Sequence, residues 1–155
     1  MKKLLFILTV LCTFSGFSQK DNKRVTLFNL EKNVAIQGYD PVAYFKQGKA
    51  VKGKKEITAS YEGVVYYFSM PVNKEYFLKN PSKFEPQYGG WCAYAMGDSN
   101  EKVSINPETF KISNGKLYLF YNAFFNNTLK SWNKEETGLM MKADEETARP
   151  CCEAQ

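Results

Sequence analysis

Three of the four cysteines in this chain are candidates for metal or thiol chemistry. Cys92 lies in the glycine-rich and aromatic stretch PQYGGWCAYAMG, residues 86–97, and Cys151 and Cys152 are adjacent near the C-terminus. Thiolates are soft ligands that suit Cu(I), and thioethers can complete such a site. The available thioethers are those of Met70, Met96, Met140 and Met141. Cys92, Cys151 and Cys152 are therefore the predicted metal ligands, with Cu(I) or another soft metal as the ion.

The chain contains no histidine. Without an imidazole there is no Ser-His-Asp or Cys-His pair, no histidine base and no histidine ligand for zinc or haem. A cysteine nucleophile can also be activated by a nearby cation, but the sequence places no lysine or arginine next to Cys92. We therefore predict that the protein is not an enzyme. Two other roles for Cys92 stay open: a side chain packed in the core, or a redox thiol that exchanges with Cys151 or Cys152.

A second group of candidates consists of aromatic rings and one carboxylate near glycines. Rings of this kind line small-molecule pockets, and the glycine pair at 89–90 would let a ligand approach the backbone. The predicted ligand-binding residues are Tyr39, Asp40, Tyr88, Trp91 and Tyr94. The alternatives are structural: the glycines form a turn, the rings fill the core and its rim, and the carboxylate caps a helix.

Residues 1–18 have the composition of a secretory signal peptide: two lysines, an apolar stretch at 4–14, and small residues before Gln19. The apolar stretch is too short to span a bilayer comfortably as a helix. The sequence therefore predicts export to the periplasm or beyond, with no membrane span after cleavage. A lipid anchor on Cys12 is the alternative, and it fits less well because Leu11 rather than a small residue precedes that cysteine.

Residues 19–155 are enough for one domain with its own core. The formal net charge of the whole chain is +5 at pH 7, and lysines are interspersed with glutamates rather than clustered. Nucleic-acid-binding proteins usually concentrate their basic residues on one face, so no nucleic-acid partner is predicted. The composition leaves the oligomeric state open.

The first half of the domain has signals for a helix, a hairpin and a second helix. Asp40-Pro41 is typical of a helix start, because proline lacks the amide that would be unsatisfied there. Alternating apolar residues in 57–68 predict a β-hairpin. Residues 71–79 predict another helix, with Val72 and Tyr76 on its apolar stripe.

The second half predicts another hairpin and two helices. Asn114-Gly115, the preferred pair for a type I′ turn, separates two apolar segments. The predicted stripes of the two helices are Phe125, Leu129 and Trp132 in the first, and Leu139, Met140 and Ala143 in the second. The fold class is therefore α+β: a small antiparallel sheet of two β-hairpins with three or four flanking short helices. The predicted boundaries are 1–18 for the signal peptide, 19–33 for an N-terminal extension, 34–147 for the domain and 148–155 for a C-terminal tail.

Five segments in this order resemble the YHS-domain family in its stand-alone, exported form. They are GYDPVAYF at 38–45, YEGVVYYF at 61–68, Asn80-Pro81 followed by Phe84, PQYGGWCAYAMG at 86–97, and NGKLYLFY at 114–121. Together they cover most of the span from 35 to about 145. The resemblance implies that residues 34–147 form one YHS-like domain.

The resemblance also bears on metal binding. Short YHS domains occur in copper-transporting ATPases and bacterial monooxygenases, and they are similar to small heavy-metal-binding modules. Two positions that carry cysteines in those modules are Ser69 and Asn73 here, and neither side chain supplies a thiolate. The histidine of the family's name is also missing.

The sequence thus predicts an exported, non-catalytic binding module that takes a soft metal such as Cu(I), or a small ligand, near Cys92. One alternative is a structural or protein-interaction domain in which Cys92 is a packed core residue. A second alternative is a thiol–disulfide redox protein.

Overall fold

The computed structural model describes residues 24–148 and confirms the α+β class. The strands are β1 (Leu30–Glu31), β2 (Val34–Ala35), β3 (Lys54–Tyr61), β4 (Val64–Phe68), β5 (Asn106–Ser113), β6 (Lys116–Phe120), β7 (Asn122–Ala123) and β8 (Asn126–Asn127). The helices are α1 (Pro41–Lys46), α2 (Pro71–Lys79), α3 (Pro81–Phe84), α4 (Ala93–Asp98) and α5 (Thr128–Ala148), with 3₁₀ turns at Ile36–Gly38 and Gln87–Gly90. The predicted signal peptide at 1–18 and the tail cysteines lie outside the described residues. Within the described part, no helix is both long and apolar enough to cross a membrane.

The first predicted hairpin is present and belongs to a four-stranded sheet with the order β1-β2-β4-β3. β3 and β4 are antiparallel, and β2 runs parallel to β4. The register between β3 and β4 shifts between Lys54 and Thr58. On β4, Val64, Tyr66 and Phe68 are fully buried, because side chains two apart on a strand share one face. β3 is an edge strand of this sheet.

The second predicted hairpin, β5–β6, is also present, and Asn114 and Gly115 have φ values of 50° and 72°, as a type I′ turn requires. This hairpin forms a sheet of its own rather than joining the first. Parallel bridges connect Pro86 to Leu117 and Cys92 to Leu119 on β6. The two hairpins therefore do not form one sheet. The irregular stretch 86–92 pairs with β6 and occupies the edge at which a strand of the first sheet would otherwise add.

Helix α2 has the predicted bounds, but its buried face differs from the prediction. Val72 and Tyr76 are 43% and 40% exposed, whereas Asn73 and Phe77 are buried. The Phe77 ring lies 4.7 Å from the ring of Tyr66. The predicted stripe was wrong because Asn73 has a hydrogen-bond partner inside the protein, and a buried polar residue does not show in an apolar pattern.

The two predicted C-terminal helices are a single stretch, α5, which is interrupted at Glu135, where φ is −138° and ψ is 30°. Trp132 lies before the break, and Leu139 and Ala143 lie after it. All three side chains are buried. The interruption lets both halves of α5 turn an apolar face toward the core.

Phe125 was wrongly predicted to lie on the first helical stripe. It lies with Phe124 in the turn between β7 and β8, and both side chains are exposed. Asn122 and Ala123 pair with Asn127 and Asn126, so a small hairpin takes the place of the first helical turn. We call residues 122–127 the aromatic hairpin.

Two clusters of buried side chains form the core. The first joins the four-stranded sheet to α1, α2 and β6, and its members include Tyr44, Tyr66, Phe68, Phe77, Cys92 and Leu119. The second lies between β6 and α5, and its members include Tyr118, Phe120, Trp132 and Leu139. Tyr94 packs against both clusters, so the two form one continuous interior.

Part of the predicted N-terminal extension is attached to the domain. The Arg24 guanidinium donates to both Glu85 carboxylate oxygens at 2.5 and 2.6 Å and to the Tyr61 carbonyl at 3.0 Å. The Tyr66 hydroxyl donates to the same Glu85 carboxylate at 2.5 Å. Burial, together with the Glu85 charge, raises the pKa of the Tyr66 phenol far above its ordinary value. Arg24 therefore links the extension to the first core cluster through a paired, partly buried carboxylate.

Candidate functional site

Cys92 lies at the N-terminus of α4, and its side chain is fully buried. The backbone N–H of Tyr121 donates to its sulfur at 3.3 Å, and the Thr128 hydroxyl oxygen is 3.4 Å from the same atom. The backbone N–H of Cys92 donates to the Val103 carbonyl at 2.9 Å. The sulfur thus occupies a closed polar niche between β6 and the start of α5.

This placement limits what the Cys92 thiol can do. A metal ligand needs partners, and residues 24–148 contain no group of three or more His, Cys, Asp or Glu side chains that could hold a metal ion. The other two predicted ligands, Cys151 and Cys152, lie outside the described residues. A redox thiol must be reached by another sulfur, and the buried Cys92 sulfur offers no exposed surface for that approach. The soft-metal site and the redox role therefore stay predictions, and the described residues favour the packed-core alternative.

We expect the Cys92 thiol to be inert until the protein unfolds. The test uses a variant in which Cys12, Cys151 and Cys152 are serine. In buffer, Cys92 of this variant should react with a bulky aromatic disulfide reagent about three orders of magnitude more slowly than in denaturant. The reason is that exposure of the thiol requires opening of the core, at a cost of about 5 kcal/mol. An added exposed thiol, Ser82→Cys, is the control and should react at once. Rapid reaction of Cys92 without denaturant would contradict its burial.

The second predicted site residue, Asp40, is the N-cap of α1 and is fully buried. One carboxylate oxygen, Oδ1, accepts from the backbone N–H groups of Val42 and Ala43 at 2.9 and 3.3 Å. This arrangement satisfies donors that a helix start leaves free. Pro41 at the first helical position has no N–H to satisfy.

The other oxygen of Asp40, Oδ2, links α1 to α2. It accepts from the backbone N–H and the hydroxyl of Ser69 at 2.7 and 2.6 Å, and from the side-chain amide of Asn73 at 2.7 Å. The predicted YHS resemblance aligns Ser69 and Asn73 with cysteines of small metal-binding modules. Here both bind a carboxylate, so these positions form a buried hydrogen-bond network. We call Asp40, Ser69 and Asn73 the carboxylate network.

The predicted aromatic ligand residues already have partners within the protein. The Tyr39 hydroxyl donates to Glu108 at 3.3 Å, the Tyr88 hydroxyl donates to Asp144 at 3.0 Å, and the Trp91 indole N–H donates to the Leu27 carbonyl at 2.8 Å. Burial, together with hydrogen bonding to Asp144, raises the pKa of Tyr88 well above its ordinary value. The hydrogen bonds of these side chains therefore connect segments that are distant in the sequence.

Three of these predicted residues meet in the second core cluster, where Trp91 and Tyr94 pack beside the buried Tyr88, but they do not surround a described cavity. In each of three cavities of about 280–290 Å³ within residues 24–148, at most one of the five lines the wall. Tyr94 lines one of them, beside Asp98, Lys134 and Glu135. Asp40 is closed off from solvent, and Tyr39 lies outside all three cavity walls. The five residues are thus distributed over the rim and interior of the fold.

A different cavity, of about 290 Å³, lies at the end of the four-stranded sheet. Its lining includes Glu31, Lys32, Gln37, Lys52, Lys55 and Tyr67, with Gly38 and Gly53 between them. We call it the lysine cavity. Lys32, Gln37 and Gly38 have φ values of 51°, 51° and 79°, so the chain turns tightly around one side of it. The other side is the segment that leads into β3.

The glycines of the lysine cavity allow its two walls to approach Tyr67. A Cβ on Gly53 would lie 2.6 Å from the Tyr67 backbone, and one on Gly38 would lie 3.2 Å from its ring. The Gly53 N–H also donates to the Gly38 carbonyl at 2.9 Å. Any larger side chain at position 53 would displace the strand that carries Tyr67.

One lysine of the cavity is held in a defined position. The Lys52 ammonium donates to the Gln37 carbonyl at 3.0 Å and lies 4.7 Å from the centre of the Tyr39 ring. The Gln37 amide in turn donates to the Ile105 carbonyl at 2.9 Å. Residues 49–56 are rich in lysine, but the sequence predicts no site there. The available signal is the run of lysines with Gly53 embedded in it. The pairing of Gly53 with Gly38 depends on the tertiary fold, so the sequence does not show it.

No family model, curated protein or solved structure matches this chain. The resemblance to the YHS family therefore stays a prediction from the quoted motifs. The same holds for export and for the absence of catalysis.

Proposed function

We propose that the protein is a non-catalytic binding module that holds a small organic anion in the lysine cavity. The observation that carries this proposal is the convergence of Lys32, Lys52 and Lys55 on one space of about 290 Å³. These lysines come from two segments that are distant in the sequence and meet only in the fold. Ligand pockets have volumes of about 300 Å³ and more, so the cavity fits a ligand of a few heavy atoms to about a dozen.

The charge of the wall favours an anion. The residues that line the cavity include three lysines and one acidic residue, Glu31. The lysines are exposed, so solvent screens each contact and each contributes modestly. Selectivity then depends on several weak contacts acting together, and we expect the affinity to fall as the salt concentration rises.

The shape of the wall favours an organic ligand over a bare ion. The Tyr67 side chain is part of the lining, and the backbones of Gly38 and Gly53 pack closely against this residue and help to hold it in place. An aromatic ring offers a flat apolar surface for the carbon part of a ligand. Lys52 is fixed by the Gln37 carbonyl and the Tyr39 ring, so little conformational freedom is lost when it binds.

The test uses benzoate and its neutral isostere benzamide as probes, with backbone amide NMR as the readout. We expect benzoate, and not benzamide, to shift the amides of residues 32, 38 and 53 in a saturable way. Lys52→Gln and Lys55→Gln should each weaken the Kd by about two- to fivefold. Lys116→Gln, at the start of β6 and away from the cavity, is the matched control and should leave the Kd unchanged.

Three results would overturn this proposal. Equal shifts with benzamide would remove the role of charge. Shifts spread over lysines that include Lys116 would show nonspecific ion binding. Saturable shifts at Tyr88, Trp91 and Tyr94 would instead support the site that the sequence predicts around Cys92.

A further inference from the structure

The aromatic hairpin presents two phenylalanine rings to solvent. Phe124 is 90% exposed and Phe125 is entirely exposed. Both are the central residues of a two-residue turn, and their φ values are 49° and 66°. Turns of this kind favour asparagine and glycine, because other side chains are strained at positive φ. Two bulky rings are therefore placed where both solvent exposure and backbone conformation disfavour them.

The fold does not explain this choice of residues. Neither ring belongs to the core clusters or packs against them. A short turn would form more readily with Asn-Gly, as the β5–β6 turn of the same protein shows with Asn114 and Gly115. Strained residues of this kind collect at binding sites, where the surrounding structure holds them in place.

The base of the aromatic hairpin is held firmly. The Asn122 amide donates to the Thr109 hydroxyl at 2.9 Å, and the Thr128 N–H donates to the Tyr121 carbonyl at 3.0 Å. The Thr128 hydroxyl donates to the same carbonyl at 2.9 Å. The two rings are thus carried on a short hairpin that is fixed to β5 at one end and to α5 at the other.

The sequence around the hairpin is rich in lysine. Residues 109–134 contain four lysines, at positions 111, 116, 130 and 134, and no acidic residue, although Lys111 is paired with Glu136 at 2.6 Å and Lys134 lines a cavity with Asp98 and Glu135. Lys130 is exposed on the first turn of α5, just after the hairpin. The nearest acidic residue before the hairpin is Glu108, and its carboxylate accepts from the Tyr39 hydroxyl. The tip is therefore apolar, its flanks are the uncharged Asn122 and Asn126, and the charges closest in sequence after it are positive.

We propose that the aromatic hairpin docks the protein on the surface of an anionic lipid bilayer. The two phenylalanine rings would enter the interface between headgroups and acyl chains, where aromatic side chains are favoured. The exposed Lys130 would face the negative headgroups. The exposed rings and the exposed Lys130 directly after the hairpin together match an anionic bilayer better than an apolar protein pocket, which would not require a cation beside the tip. This inference is independent of the lysine cavity, since the two sites share no residue.

The experiment measures binding to vesicles by sedimentation. One set of vesicles is pure phosphatidylcholine, and the other contains about one quarter phosphatidylglycerol. All proteins begin at Gln19, because both core clusters lie within residues 24–148 and the apolar stretch at 4–14 would bind lipid by itself. We expect the wild type to bind the anionic vesicles. The double variant Phe124→Asn/Phe125→Gly should bind at least about tenfold more weakly, given the apolar surface of two phenylalanines. Leu78→Gln, which removes an exposed apolar side chain on α2, is the matched control and should bind like the wild type.

Two further measurements separate docking from an indirect effect of the variants. The double variant should melt at a higher temperature than the wild type, because Asn-Gly relieves the turn, so any loss of binding cannot come from unfolding. A Phe124→Trp variant should show a blue-shifted emission component when anionic vesicles are added. The proposal is overturned if the wild type binds neither kind of vesicle, if the double variant binds as the wild type does, or if the Phe124→Trp emission does not move.

Discussion

Asp40→Ala is expected to lower the free energy of unfolding by about 4–6 kcal/mol. The variant removes a helix cap, worth about 1 kcal/mol. It also leaves the Ser69 N–H without an acceptor and the Asn73 amide with only the long 3.4 Å hydrogen bond to the Ser69 hydroxyl, and each buried donor that loses its partner costs about 1–3 kcal/mol. Because a domain of this size has about 5–15 kcal/mol of stability in total, the variant should be partly unfolded at 37 °C. Urea denaturation followed by circular dichroism measures the change.

Two companion variants identify the cause. Asp40→Asn retains a capping oxygen but turns an amide N–H₂ toward donors from Ser69 and Asn73, so we expect an intermediate loss of about 2 kcal/mol. Asp98→Ala removes an exposed carboxylate and should change stability by less than about 0.5 kcal/mol. A loss below about 1 kcal/mol for Asp40→Ala would show that the carboxylate network does not stabilise the contact between α1 and α2.

Gly97→Ala is expected to destabilise the protein by about 2–3 kcal/mol, although alanine is the better helix former. Gly97 is buried in α4, where the helix crosses α5. A Cβ at this position would lie 3.0 Å from the Leu139 Cα and closer still to the Leu139 carbonyl oxygen. A backbone contact of this kind cannot be relieved by a rotamer change, so the two helices would have to separate. The melting temperature should fall by about 10 °C.

Gly138 is the matched control for this prediction, because it lies on α5 beside Leu139 and a Cβ at this position would have no atom within 4 Å. Gly138→Ala should therefore stabilise the protein by about 0.5–1 kcal/mol through helix propensity alone. Opposite signs for the two substitutions would show that close packing of α4 on α5, rather than glycine itself, decides the result. Equal signs would contradict the helix crossing described here.

The elements that depend on local signals were predictable from the sequence. Asp40-Pro41 marked the start of α1, and Asn114-Gly115 marked the β5–β6 turn, because each signal acts over two to four residues. The prediction of a helical stripe through Phe125 was wrong for the opposite reason. Apolar spacing alone does not distinguish a ring that faces the core from one that faces solvent in a strained turn.

The arrangement of the candidate sites was less predictable, because it depends on contacts between distant segments. The sequence marked Asp40 and identified Ser69 and Asn73 as positions of interest, but it did not show that the three meet. The burial of Cys92 follows from its bridge to Leu119 on β6, which no spacing rule anticipates. The lysine cavity likewise forms only when the turn at Gly38 lies against Gly53.

The position of β3 at the edge of its sheet has a consequence for how copies of this protein behave in concentrated solution. An edge strand exposes backbone groups to which another chain can add a strand, and charged side chains and bulges prevent that pairing. β3 begins with Lys54, Lys55 and Glu56, and its pairing with β4 shifts register in the same region. Lys55, which also lines the lysine cavity, thus helps to protect the protein from edge-to-edge aggregation.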